Sequence, residues 1–212
     1  MARKTHPRTE AHHRVAADNA LARHASSTGA PLELSAPAIE LPVPVEMIVE
    51  STFGLSILWD EIDEPDDMMI LGALHPSKHM IVMNTRHQDL FERVVGPERF
   101  TLAHELGHWI YDADDPAQMS LDFSDQQDEV YCYHREAGEL PDQTRIRAIN
   151  ANKFAACLLF PEHLVKATDI DDVIADLRRT AARWGVSQRT LRIRMDGLGL
   201  LDDWDRMQLE ML

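Results

Sequence analysis

The sequence has little cysteine, few aromatic residues, no long apolar run and a shortage of positive charge. Its two cysteines, Cys132 and Cys157, cannot build a disulfide framework, and such cysteine usage is that of a cytosolic chain. No stretch approaches the ~18 consecutive apolar residues that a membrane-spanning helix needs, so no span is expected. The opening MARKTHPRTEAHHRVAADNA is basic but has no apolar run behind it, so no secretory leader is readable and a cytoplasmic location is expected. Basic residues number 21 against 36 acidic ones, a net charge of −15, which argues against wholesale binding to nucleic acid. Hydrophobic residues make up 44% and charged residues 27% of the chain, an ordinary globular balance. Its 212 residues suffice for one sizeable core, or for a catalytic domain with a small appendage.

The charge is unevenly spread. Residues 1–30 hold five Lys/Arg against two Asp/Glu, together with four of the eleven histidines. Between Arg178 and Met195 there are six arginines and no acid, so any nucleic-acid contact would be local to that segment. An Ala-rich run from Ala11 to Ala25 has helix-forming composition, and SSTGAP stops it. The stretch LELSAPAIELPVPV is punctuated by proline and reads as an extended linker. Residues 1–44 are therefore expected to be a flexible tail and linker with solvated histidines, with the folded body starting at about Val45.

Val45 to Phe53 has apolar residues at helical spacing, with Gly54 as a stop. Ser56 to Ile62 is strand-like. MMILGAL and HMIVMNT, separated by HPSK, read as an antiparallel hairpin whose turn is flanked by His75 and His79 as polar turn residues. Leu90 to Tyr111 reads as helix in two pieces broken at Gly96-Pro97. Arg145 to Phe160 reads as a second strong helix closed by Pro161, and three short helices are expected beyond Glu162. The order gives an α+β fold, with a body over 45–165 and a helical segment over 166–212.

The sharpest signal is His104-Glu105-Leu106-Gly107-His108. On a helix, residues four apart share a face, so the two imidazoles can bind one Zn²⁺ while Glu105 serves as general base towards water. The motif sits among Phe100, Leu102, Ala103, Leu106 and Ile110, which makes its helix a core helix. Gly107 inside that helix costs about 1 kcal/mol relative to Ala and implies close approach of another backbone.

RFTLAHELGHWI, preceded by HMIVMNT and followed by ANKFAACLLFPE, resembles the ImmA/IrrE family of metallopeptidases, over about Pro42 to Leu201. The resemblance implies a zincin-like core, with a small antiparallel sheet packed on the HExxH helix. It also implies zinc held by His104, His108 and a downstream Glu, with Glu105 as catalytic base. The partner it implies is a helix-turn-helix transcriptional repressor, cleaved by the enzyme as an anti-repressor. The third ligand does not carry over: the family's Glu falls on Ala148, which has no lone pair for a metal.

Three explanations stay open. Ala148 can be an inactivating replacement of a Glu; Asn150 or a carboxylate from Asp112 to Asp142 can complete the site; or the protein can bind a repressor without cutting it. Asn152 occupies the place of a residue that supports a ligand. Cys132, between the two metal helices, can be read as a fourth-position switch or as an ordinary thiol. His134, Tyr111 and Tyr131 are candidates for stabilising a tetrahedral intermediate. Cys157 reads as core.

Ala181 to Leu191 (AARWGVSQRTL) resembles a helix-turn-helix: Gly185 for a left-handed turn, Val186 for the interhelical angle, Ser187 as cap. It can bind DNA through its arginines, or pack on the body and present substrate. The sequence thus offers a zinc endopeptidase acting on a repressor, and alternatively a DNA- or repressor-binding regulator with a vestigial metal site.

Overall fold

The computed structural model describes residues 7–29, 41–65, 69–113, 130–134, 142–203 and 205. The first element is a helix, α1 (Glu10–Thr28), capped by Thr9 accepting from the His12 amide and closed by Gly29 at φ 71°. Its inner face is His13, Ala17, Ala20, Leu21, His24 and Ala25, all buried, and it lies against the body of the protein. This corrects the expectation of a flexible tail with solvated histidines. A stripe of alanines carries little hydrophobic signal, yet small side chains let a helix lie close to its neighbour. The remainder of the expected tail and linker, 1–6 and 30–40, lies outside the described residues.

The chain re-enters at α2 (Val45–Met47), which widens into a π-helical turn over Ile48–Thr52 and places Val45, Ile48 and Val49 in the core. Four strands follow: β1 (Ser56–Asp60), β2 (Met69–His75), β3 (Met80–Asn84) and, later, β4 (Val130–His134). They form one sheet in the order β1-β3-β2-β4. The hairpin forms as expected, with β2 antiparallel to β3 and a 3₁₀ turn at Pro76–Lys78. His75 ends β2, buried, and His79 takes φ 50° at the turn.

β1, however, runs parallel to β3, so the sheet is mixed rather than antiparallel. The physical reason lies in the connection. The hairpin joins β2 to β3 directly, so β1 takes the free side of β3, and the segment after Asp60 crosses back to start β2.

On this sheet lies α4 (Pro97–Ala113), preceded by the short α3 (Gln88–Arg93); the break falls at Gly96-Pro97 as the sequence predicts. α5 (Asp142–Leu159) crosses α4. A Cβ on Gly107 would stand 3.1 Å from Ala151 Cα and 3.2 Å from its carbonyl oxygen, so the two helix backbones touch there. That is the close approach the glycine implied.

Beyond Pro161 come four short helices where three were expected: α6 (Glu162–Lys166), α7 (Ile170–Ala175), α8 (Leu177–Trp184) and α9 (Gln188–Gly197). α8 and α9 are joined through Gly185 at φ 64°, and Ser187 caps α9 through the Thr190 amide, so the left-handed turn and the cap read from the sequence are both formed. Trp184 stacks on Phe160 at 5.8 Å and 18°, and Leu191 and Met195 join the same hydrophobic cluster as Leu106, Phe154 and Leu21.

Candidate metal centre

α4 turns one face to α5 and the sheet, and its motif residues lie on that face. His104, Glu105 and His108 are all buried, at 2%, 0% and 4% exposure. The Nε2 atoms of His104 and His108 are 3.0 Å apart, with ring centroids at 4.7 Å. His104 Nδ1 lies 2.8 Å from Asn152 Oδ1. An amide oxygen only accepts, so it fixes the proton on Nδ1 and leaves His104 Nε2 unprotonated, facing His108 Nε2.

The electrostatics suit neutral imidazoles. Burial lowers His104 to about 4, against a smaller opposing effect of Asn152. His108 is pushed well below the ordinary value by burial, then by His104 and Arg147. Arg147 is a residue the sequence reading did not single out; its only signal there was its place one residue before Ala148. Glu105 is driven well above the usual carboxylate range by burial, partly offset by the Leu74 backbone. Among the described residues neither Glu105 oxygen makes a hydrogen bond of good geometry; the Leu74 backbone acts on the carboxyl without closing one.

An unpaired carboxyl beside two opposed imidazole nitrogens is an orphaned buried polar group, and it fits the nitrogen ligands and base of a zinc site. The fit covers two protein ligands. Ala148, half-buried on α5, offers no donor atom, and among the described residues no three His, Cys, Asp or Glu side chains gather as a metal would need.

The remaining candidates divide. Asn152 joins the centre through His104. Asn150 is buried, and its side-chain oxygen accepts from the Arg8 amide at 3.0 Å. Tyr111 is also committed elsewhere: its hydroxyl lies 2.5 Å from His13 Nδ1, and the Arg8 guanidinium sits over its ring at 4.3 Å. His79 packs edge-on to Trp109 at 5.0 Å. Cys157 is a buried free thiol, as expected, with its pKa pushed up to about 11 by burial first. Cys132, Tyr131 and His134 belong to β4, but their side chains lie outside the described residues, as does the acidic segment 114–129.

An HExxH helix laid on a mixed sheet and crossed by a second core helix defines a peptidase-like domain. The model of the IrrE N-terminal-like domain (Peptidase_M78) matches residues 73–196, and the chain belongs to that family. No curated protein matches. Among solved structures, a Mycobacterium tuberculosis transcriptional regulator is similar at 16% identity and a TM-score of 0.49, covering 87% of this chain and 46% of that one. The chain thus spans about half the length of that protein. No helix among the described residues is long and apolar enough to cross a membrane.

Proposed function

We propose that this chain is a zinc-dependent endopeptidase of the cytoplasm, an anti-repressor whose substrate is a helix-turn-helix transcriptional repressor. In the sequence as it stands, we read its metal site as incomplete at Ala148. The observation that carries the reading is the pair of buried imidazoles whose Nε2 atoms oppose each other at 3.0 Å, together with the buried Glu105 next to His104 in the chain, whose carboxyl makes no hydrogen bond among the described residues. His104 and His108 would hold the ion, and Asn152 keeps the first of them in the ligating tautomer. When bound, zinc supplies a Lewis acid that polarises a peptide carbonyl. Glu105 takes the proton of the attacking water and returns it to the leaving amine.

The experiment compares zinc stoichiometry and repressor cleavage in this chain and in Ala148→Glu. Position 148 is one helical turn before Asn152, so a carboxylate there falls on the face that already meets His104. We expect tighter zinc and new cleavage in the variant. Equal zinc binding by the two proteins, or no cleavage by the variant, would overturn the reading.

A second reading, a repressor- or DNA-binding regulator that cuts nothing, is favoured by Ala148 itself and by the formed α8–α9 motif. It predicts a stable repressor complex without fragments, or duplex binding that weakens steeply with salt.

A further inference from the structure

β1 ends the sheet on one side: its inner edge pairs with β3, and no described strand pairs with its outer edge. Edge strands are commonly blunted by lysine, proline or a covering element. Ser56–Asp60 holds neither residue, and it exposes Leu58 at 43% and Trp59 at 40% on opposite faces. Beside Trp59 a cavity of 380 Å³ opens between β1, α3 and the start of α4, lined by Trp59, Gln88, Phe91, Glu92 and Glu98. Phe91 stands edge-on to Trp59 at 5.5 Å and 83°, which fixes the indole as a wall.

The charge in this cavity has one sign. Glu92 accepts only a neutral bond, from Gln88 Nε2 at 2.8 Å. Glu98 makes no hydrogen bond or ion pair among the described residues. Arg99, the cation nearest to it in sequence, is drawn to Glu46 at 3.6 Å and donates to the Val43 carbonyl. Burial first, and then Glu46, hold the Glu98 carboxyl above its ordinary range, against an opposing pull from the Arg99 charge.

We propose that this margin is a docking site for an extended peptide segment of a partner protein. The segment adds to the outer edge of β1 and lodges an arginine or lysine side chain between Trp59 and the carboxylates of Glu92 and Glu98. The backbone edge supplies the ladder, the indole attracts the cation, and the two acids select against an anionic side chain. Val94 and Val95, exposed in the link between Glu92 and Glu98, offer apolar contact to the residues flanking that cation. Glu98 precedes His104 by six residues on α4, about 9 Å along the helix axis, so a partner held here lies upstream of the imidazole pair. The docking itself does not rest on the peptidase reading.

The test uses the full chain without zinc and a capped Val-Arg-Val-Arg-Val peptide, with a Val-Glu-Val-Glu-Val counterpart as control. Calorimetric titration gives affinity, and amide hydrogen exchange gives position. The arginine peptide should bind, the glutamate peptide should not, and exchange should slow over 56–60. The near-isosteric double variant Glu92→Gln/Glu98→Gln should bind about tenfold more weakly or worse while keeping its unfolding midpoint. Four results would each overturn the proposal: no binding at millimolar peptide, equal binding of both peptides, binding without protection of β1, or protection of β1 by self-association alone. Because zinc plays no part, a failure here leaves the peptidase reading standing, and the reverse also holds.

Discussion

The Tyr111 hydroxyl and the His13 imidazole meet at 2.5 Å although 98 positions separate them in the chain. The contact ties α1 to α4, the HExxH helix, one turn beyond His108. His13 is fully buried, and burial, its largest influence, holds its pKa below the ordinary value. Tyr111→Phe removes the partner and leaves a buried ring nitrogen unsatisfied. Unfolding in urea should show a loss of about 1–3 kcal/mol. The His13 effect has a sign: its folded pKa is lowered, so its contribution is present above 6.5 and declines as pH falls through that value. An unchanged midpoint in Tyr111→Phe would mean that the bond holds nothing.

Acid should loosen the same helix by a second route. Hydrogen bonds from Arg14, then Lys166, hold Glu162 down at about 2 against an ordinary 4.5. A depressed carboxyl stabilises the fold fully above 4.5 and loses that stabilisation as pH falls towards 2. Arg14 is half-exposed and solvent screens the pair, so its contribution at neutral pH is small. Stability measured from pH 5 to pH 2 should fall less steeply in Glu162→Gln than in the parent.

Glu105→Gln separates catalysis from architecture. Gln fills the same space but cannot accept water's proton. In an Ala148→Glu background it should lower cleavage by about 10²–10⁴-fold and leave zinc content nearly unchanged. Cleavage at the background rate would remove Glu105 from its assigned role.

At the helix crossing, Gly107→Ala sets two effects against each other. Alanine gains about 1 kcal/mol of helix propensity over glycine. Its Cβ, however, would meet Ala151 Cα and Phe154 Cδ1 at 3.1 Å, and backbone cannot step aside as a side-chain tip can. Overpacking costs about 1–3 kcal/mol, so the net change should be a loss, read as a lower unfolding temperature.

Much of this was legible in the chain. The alternating and helical periods marked the β2–β3 hairpin, α4 and α5, and the spacing of His104 and His108 placed both rings on one face. Three features were not legible, each for a physical reason. The apolar stripe of α1 is mostly alanine, which lacks the contrast that marks an amphipathic helix. The parallel pairing of β1 depends on which side of β3 stays free once the hairpin closes, and no local pattern encodes that. Asn150 and Asn152 are two residues apart and of one type, yet helix geometry points one at Arg8 and the other at His104. The resemblance gave Asn152 its place beside a ligand, but the partner of Asn150 lies 142 positions away and no local pattern encodes it.

The packing of α1 also bears on how the chain is made. Its principal neighbour, α5, begins at Asp142, more than 110 residues after α1 ends at Thr28. At ordinary rates of synthesis the ribosome needs on the order of ten seconds to deliver that partner. Until then α1 can pack mainly on the Ile48–Thr52 turn, and much of its alanine stripe stays uncovered. Its sparse hydrophobicity then becomes an advantage: a face of small side chains is a poor target for misplaced contacts, yet it still fits closely once α5 arrives.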